Sequence, residues 1–429
     1  MFYIIETKEQ LEQLPTVPNC FIDLIAKSEN SHPTLTAPSV IYYNNLQKGF
    51  ILVLDHSEGF SLSLADVQTF LQKHEKVYLV DAKYHSYFLD LPNHVDLRFS
   101  TIGKQENDSQ CYTLVHRDFH SKYQYNDQVN TIVPISKHYE KSECMFDFYK
   151  QYIGQEINVW WQRKYAAVYK WVEENGITID EKLFDKYYEP TWKAYSVKNG
   201  KIYTSYNLYN VTSRPTNAFN GLNFLALPKG KPREAFIPSN DRFIELDFDG
   251  YHVRLIANLV GYELPADESI HTHLGRYYFG KDELTDEEYQ ESKKITFRQL
   301  YNGVEDAYSS VPLFRTVEDF VDTMWEHYKQ NKSIELPSGN RVAGMDNPQK
   351  LFNYYIQSLE TVNNVQKLEK LKEALTGKRT KVVLVVYDSM LIDYAAEDGK
   401  ETLKLIKDIL EEDKYLVKAK LGDNYGFSE

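Results

Sequence analysis

The chain has 429 residues, 42% hydrophobic and 26% charged, which excludes a wholly disordered protein and allows two or three domains with cores of their own. Its net charge of −13, from 49 Lys and Arg against 62 Asp and Glu, disfavours loose adhesion to nucleic acid but leaves room for an enzyme with a basic groove. The longest strong apolar run, Val382 to Tyr387, is far below the roughly 20 residues of a bilayer span, so no membrane segment is expected. Met1 to Gln10 lacks a signal-peptide pattern, and Cys20, Cys111 and Cys144 have no metal-ligand spacing and make no disulfide framework. A cytoplasmic protein is expected.

Residues 1–135 alternate short strands and helices, an α/β pattern. Phe2 to Ile5, Phe21 to Ile25, Gly49 to Leu54 and Val77 to Val80 read as strands, and Leu62 to His74 as a helix capped by Ser61 or Ser63. A helical stretch follows from about Lys141 to Asn175, stopped at Asn175-Gly176. Asp180 caps a short helix from Glu181, and Ser196 to Leu227 is turn-rich. The window 191–242 holds eight Lys or Arg and two acids, a local balance of +6 that by itself marks a solvated surface. Beyond it, Phe243 to Phe248 is a strand and His252 to Leu259 a helix. Asp286 to Leu300, Val317 to Gln330 and Pro348 to Leu375 are helices, with a turn at Pro337 to Asn340. Val382 to Val386 and Met390 to Asp393 are strands around a tight Tyr387-Asp388-Ser389 turn. Glu401 to Glu411 is a helix and Leu416 to Leu421 the last strand.

Two acids stand out. Asp247 ends an apolar strand before a helix, and Asp388 sits between two very hydrophobic strands. Such carboxylates are costly to desolvate without a partner. Brought to one edge of a sheet, they can hold two divalent cations about 4 Å apart, the arrangement that stabilises attacking and leaving oxygens in phosphoryl transfer. Taken alone, each is more often a turn or cap residue. Lys293, Phe297 and Tyr301 are spaced i, i+4, i+8 and share one helix face, a cation followed by two aromatics suited to triphosphate and base. Without the aspartates, that face reads as a solvated lysine above two core aromatics.

In these contexts the chain resembles the family A DNA polymerases, the group of bacterial DNA polymerase I and many phage polymerases, over about 270 residues from Val159 onward. Gly176 to Asp180 is similar to the opening of the family's polymerase domain. Thr212 to Asn217, with Gly221-Leu222-Asn223, resembles its Arg-containing primer-binding segment. Leu246 to Leu255 resembles motif A, Ser269-Ile270-His271-Thr272 the following element, and Lys293 to Tyr301 motif B of the fingers. Asn353 to Gln357 is similar to the palm helix that reads the duplex minor groove, and Val386 to Met390 resembles motif C. Leu421 to Gly426 resembles the family's tail.

The resemblance implies an α/β fold with a right-hand polymerase palm and fingers, and catalytic, metal-binding Asp247 and Asp388. It implies Lys293, Phe297, Tyr301 and His252 at the nucleotide, and Arg214, Asn223, Asn353, Gln357 and Tyr387 at the DNA. Two Mg²⁺ ions are implied, replaceable by Mn²⁺, with primer-template DNA, dNTPs and a processivity or replication protein as partners. Residues 1–140 resemble the RNase H-like 3′–5′ exonuclease domain and 141–429 the polymerase domain.

The departures shape the expectation. Motif C reads Tyr387-Asp388-Ser389, so the family's second acid is gone, and Asp249 and Asp393 are the candidates to supply a nearby charge. His252 stands where the family has the glutamate that helps exclude ribose. Tyr289 replaces an arginine one turn before Lys293, with Arg298 and Arg276 as possible substitutes. Only 33 residues separate Asp180 from Arg214, so the thumb is nearly absent around 176–212. In the N-terminal domain Asp23 keeps one acid, but Ile25 and His85 occupy acid positions, which implies no proofreading. The compactness points to a phage origin, and hence to the cytoplasm of a bacterial host. A catalytically weak or inactive DNA-binding subunit of a replication complex is the alternative, and a single-subunit RNA polymerase a third reading.

Overall fold

In the computed structural model the N-terminal apolar runs become one six-stranded sheet. Its strands are β1 (Tyr3–Ile5), β2 (Asn19–Ala26), β3 (Pro38–Asn44), β4 (Gly49–Val53), β5 (Lys76–Leu79) and β6 (His94–Asp96), in the order β1-β4-β3-β2-β5-β6. β2, β3 and β4 are antiparallel neighbours, whereas β5 and β6 run parallel to β2. Strand alternation divides β2 between two cores. Cys20, Ile22 and Leu24 join one cluster and Phe21 and Ile25 the other. The structure describes residues 2–427 apart from 29, 60–61, 105–107, 116–127, 157, 191–192, 194–195, 218–221 and 266–267.

Helix α1 (Leu64–Leu71) starts at Ser63, whose hydroxyl accepts from the Asp66 amide. Ser61, the other candidate cap, lies outside the described residues, as does Gly221. After the short α2 (Ala82–His85), the expected helix over 141–175 is corrected to two, α3 (Ile135–Tyr149) and α4 (Val159–Asn175). A 3-10 turn at Lys150–Tyr152 and Gly154, at φ +84°, break the α-helical hydrogen-bond run between them. Strand β3 went unread because Tyr42 and Tyr43 bury on opposite faces, which hides the apolar-polar alternation. A second correction concerns the cysteines. Cys111 and Cys144 form a disulfide, brought together by chain folding across 33 residues, and Cys20 is a buried free thiol.

The chain forms two units. One comprises Met1–Glu174, Tyr188–Ser205 and Asn217–Leu222, the other Asn175–Tyr187, Tyr206–Thr216 and Asn223–Glu429. The second is built on a four-stranded antiparallel sheet of β7 (Arg242–Phe248), β8 (Lys381–Val386), β9 (Ser389–Tyr394) and β10 (Val417–Gly422), ordered β8-β9-β7-β10. Its helices are α5 (Tyr251–Val260), α6 (Ile270–Phe279), α7 (Asp286–Asn302), α8 (Pro312–Asn331), α9 (Pro348–Ala374) and α10 (Gly399–Leu410). Val253, Ile270, Leu300, Phe314 and Ile356 of α5 to α9 bury in one shared core. Between Asp180 and Arg214 the described residues include the helix Glu181–Tyr187, further helical residues at Pro190, Lys193 and Ser196, and two-residue strands such as Val197–Lys198 and Lys201–Ile202. Among the described residues no helix is long and apolar enough to cross a membrane.

Candidate active site

The sheet register brings the two aspartates together. Asp247 of β7 lies opposite Ser389 of β9, and the Phe248 amide donates to the Asp388 carbonyl at 3.1 Å. Asp388 therefore sits at the tip of the β8–β9 hairpin beside the end of β7. The turn needs a left-handed residue, supplied by Tyr387 at φ +54°, and the Asn364 amide holds the Tyr387 carbonyl at 3.0 Å. Burial, with Asp388 and Glu245 nearby, pushes the Asp247 carboxyl up to about 6. Burial also raises Asp388, against the pull of its own backbone amide, with Glu360 adding to the rise and His252 and Arg214 opposing it. The Asp388 charge thus acts on a partly desolvated Asp247.

From Asp247 the chain passes through Gly250 into α5. Gly250 has φ +61°, and a Cβ there would meet Ile270 Cγ2 at 2.4 Å, so only glycine lets α6 approach this turn. Tyr251 then stacks on Phe248 at 4.2 Å between ring centres and donates to Asn363 and Asn364 Oδ1 at 2.8 and 2.9 Å. This ties the motif around Asp247 to α9 and, through Asn364, to the turn before Asp388.

The face of α7 forms as its spacing implies. The Phe297 and Tyr301 rings stack with a 4° interplanar angle and centres 6.1 Å apart, and Phe297 remains exposed. Lys293 Nζ lies 4.6 Å above the Tyr289 ring, and the Tyr289 hydroxyl meets Ser269 Oγ at 3.1 Å. Tyr301 OH bonds His252 Nδ1. His252 Nε2 in turn meets Glu360 Oε2 at 2.9 Å. The same carboxylate receives Arg214, with Nη2 to Oε1 and Nε to Oε2 both at 3.2 Å, and the Arg214 guanidinium lies 4.0 Å over the Tyr387 ring.

Among the DNA-side candidates, Asn353 and Gln357 line a cleft of about 590 Å³ with Tyr301, Lys350 and Tyr354. Asn353 Nδ2 reaches the Tyr301 carbonyl at 3.5 Å. Asn223 is spent locally, its Oδ1 accepting from the Ala226 amide at the start of a 3-10 turn. The structure does not bring it to the aspartates.

Both substitute acids are engaged by other partners. Asp393 pairs opposite Phe243, four residues or about 13 Å along β9 from Ser389. There its carboxylate accepts from the Ser239 and Asn240 amides. Asp249 is ion-paired with Lys418. The substitute arginines are likewise engaged, Arg298 with Glu305 and Arg276 with Glu268. Among the described residues, no group of three or more His, Cys, Asp or Glu is placed to hold a metal ion.

Sequence reasoning missed Glu360, Asn364 and Lys367. Their signal is the α9 stripe Ile356, Glu360, Asn364, Lys367, Leu371, at i+4 and i+3 steps, in which buried polar residues interrupt an apolar face. Lys367 donates to the Ile409 carbonyl at 3.1 Å, and burial lowers its amine to about 8.

In the N-terminal unit the corresponding acids are committed to structure. Asp23 accepts from Ser142 Oγ at 2.7 Å. His85 Nε2 accepts from the Leu24 amide at 3.1 Å, so its Nδ1 proton goes to the Asp81 carbonyl at 2.9 Å, and both ring nitrogens are occupied. Asp81 caps α2, and Asp96 accepts from the amides of Asp81, Ala82 and Arg98.

No family model matches the chain, and no curated protein matches it. Among solved structures it is similar to the POL domain of Pol1 from M. smegmatis in complex with DNA primer-template and dNTP, with a TM-score of 0.68 and 12% identity over 100% of each chain. The likeness establishes a polymerase-domain fold.

Proposed function

We propose that the chain is a template-directed DNA polymerase of the family A type, adding dNTPs to a primer 3′ end. The observation that carries the reading is the placement of Asp388, at the tip of the β8–β9 hairpin, beside Asp247 at the end of β7, with the Lys293–Phe297–Tyr301 face joined to the strand-helix element of Asp247 through His252. The fold shared with the POL domain supports it.

A divalent cation fits the aspartate pair, because it would offset the burial and the Asp388 repulsion that lift Asp247. Mg²⁺ is commonly held by one or two carboxylates with waters and substrate phosphates completing its shell, so two aspartates meet its needs, and Mn²⁺ shares the oxygen preference. Bound there, the metal supplies activation of the primer hydroxyl and neutralisation of the leaving pyrophosphate. The chain's own residues position the reactants. Lys293 offers a cation to the triphosphate, Phe297 and Tyr301 present flat faces to the nascent base pair, and His252 with Tyr301 walls the sugar side. Arg214, Tyr387, Asn353 and Gln357 face the duplex end. Primer extension with dNTPs or NTPs, with and without Mg²⁺, tests the reading. Metal-dependent extension by dNTPs supports it, and no extension under any condition rejects it. The lack, among the described residues, of a third metal-binding side chain favours, as second reading, a weak or inactive DNA-binding subunit, which binds primer-template but leaves it unextended.

The N-terminal unit is read as a degenerate RNase H-like exonuclease domain. Its three antiparallel strands followed by two parallel ones support that ancestry, and the occupied His85 ring and the committed acids support loss of nuclease activity. A labelled single strand is expected to stay intact with Mg²⁺ or Mn²⁺. Shortening that Asp23→Ala abolishes and Asp247→Asn does not would overturn this.

The short segment between Asp180 and Arg214 supports a reduced thumb. Duplex grip comes from neutralised phosphates, and fewer contacts mean weaker, less salt-dependent binding. Synthesis is therefore expected to be distributive, with only short products under a trap that captures released enzyme. A tethering replication partner restores long products by raising effective concentration. Kilobase products from one binding event without a partner contradict the expectation.

A further inference from the structure

Glu360 is the least expected residue of the site. It lies inside α9, three residues beyond Gln357, and is 1% exposed. A carboxylate buried in a helix interior persists only when its oxygens are fully partnered. Here Oε1 accepts from Arg214 Nη2 and Oε2 bonds His252 Nε2, with Arg214 Nε an ion-pair neighbour 3.2 Å from Oε2. The contact to Arg214 is one charge-assisted hydrogen bond from Nη2 within an ion pair, because Nε lacks hydrogen-bond geometry to Oε2. On its far side, the imidazole reaches Tyr301. Burial, with Glu360 nearby, pushes the Tyr301 hydroxyl up, so it stays protonated and can donate to the ring. One carboxylate thus anchors a chain of four side chains from three separate parts of the sequence besides its own helix.

His252 is held from both sides of its ring, by Tyr301 at Nδ1 and by Glu360 at Nε2. Without an acceptor at Glu360, nothing among its hydrogen bonds described here holds Nε2 inward, and the ring can swing from the wall of the nucleotide pocket. Arg214 loses its ion-pair partner in the same event. We propose that Glu360 is a positioning residue that locks His252 against Tyr301 and thereby sets the discrimination between deoxyribo- and ribonucleotides. The inference rests on the polymerase reading above.

The test is steady-state primer extension by the full chain, with kcat and KM measured separately for a dNTP and its NTP. Glu360→Met keeps the volume and removes both acceptors. It is expected to lower the dNTP/NTP ratio of kcat/KM by about 10-fold or more, a scale typical of losing one shape-determining contact in a pocket. His252→Ala should do the same, and the double variant should fall no further than the lower single variant, since the two residues act through one element. Glu360→Gln retains the shape and one accepting oxygen and should keep most of the ratio. A purely structural role would reduce melting temperature and kcat for both nucleotides alike while leaving their ratio intact. If Glu360→Met keeps the wild-type ratio, or its effect adds fully to that of His252→Ala, the inference is overturned while the polymerase reading stands. If Glu360→Met does not fold, Tyr301→Phe, which removes the other hydrogen bond to His252, tests the lock, and an unchanged dNTP/NTP ratio in that variant overturns it equally. A wild-type chain that extends no primer removes the polymerase reading and this inference together.

Discussion

Asp247→Asn and Asp388→Asn are each expected to slow primer extension by about 10³-fold or more, the several kcal/mol that a metal-held charge contributes to such a barrier. The fold should survive both changes, because Asn keeps the shape of each side chain and the ladder between β7 and β9 is made by backbone groups. Stability should move the other way from activity. Both carboxyls are held above the ordinary aspartate range, Asp247 at about 6 by burial and by Asp388, so their charged forms are disfavoured in the folded state. For Asp247 that penalty is full above about pH 6, shrinks as pH falls from 6 towards its unfolded value, and is gone below it. In a chelator at pH 7 either variant should therefore melt at or above the temperature of the wild type, and adding Mg²⁺ should stabilise the wild type more than the variants. Near-wild-type extension by either variant would show that the aspartates do not carry the chemistry.

The second large effect lies in the N-terminal unit. Glu173 of α4 is fully buried, with Lys83 Nζ at 2.5 Å and the Tyr87 hydroxyl at 2.6 Å. Glu173→Ala removes the negative charge and leaves the buried Lys83 ammonium without it, a change that costs about 3–5 kcal/mol. Lys83→Met combined with Glu173→Leu removes both charges and should recover most of the loss, because a well-packed apolar pair avoids the desolvation penalty. Urea unfolding, followed by a probe in residues 2–174, measures both. A loss below about 1 kcal/mol for Glu173→Ala would mean that water or another group reaches the lysine. This residue belonged, in the sequence, to a helix that merely ended at Asn175-Gly176. Its role depends on Lys83 and Tyr87, some 90 residues earlier.

Local patterns made the site's parts legible. The apolar strand before Asp247, the two strands around Asp388 and the i, i+4, i+8 face of α7 each depend on residues close in sequence, and each forms within a residue or two of its expected bounds. The i, i+4 spacing put Phe297 and Tyr301 in stacking order without any knowledge of their neighbours. What the same reasoning placed badly depends on distance. Asp393 follows Asp388 closely in sequence and is a candidate there for a nearby charge, yet the antiparallel register carries it four residues up the strand from Ser389 to a loop it caps. Asp249, two residues from Asp247, belongs to Lys418 across the ladder.

The sequence by itself determined the α/β character, the hairpin that presents Asp388 and the helix face that presents Lys293, Phe297 and Tyr301. These follow from hydrophobic period, turn residues and caps, which act within a few residues. Only the tertiary structure decided that Asp247 would lie opposite Ser389, that Glu360 would join Arg214 to His252, that His85 would spend both nitrogens on backbone, and that Cys111 would meet Cys144. Each of these joins residues far apart in the chain. Strand register and helix packing select such partners, and those are set by the whole core rather than by any local run of residues.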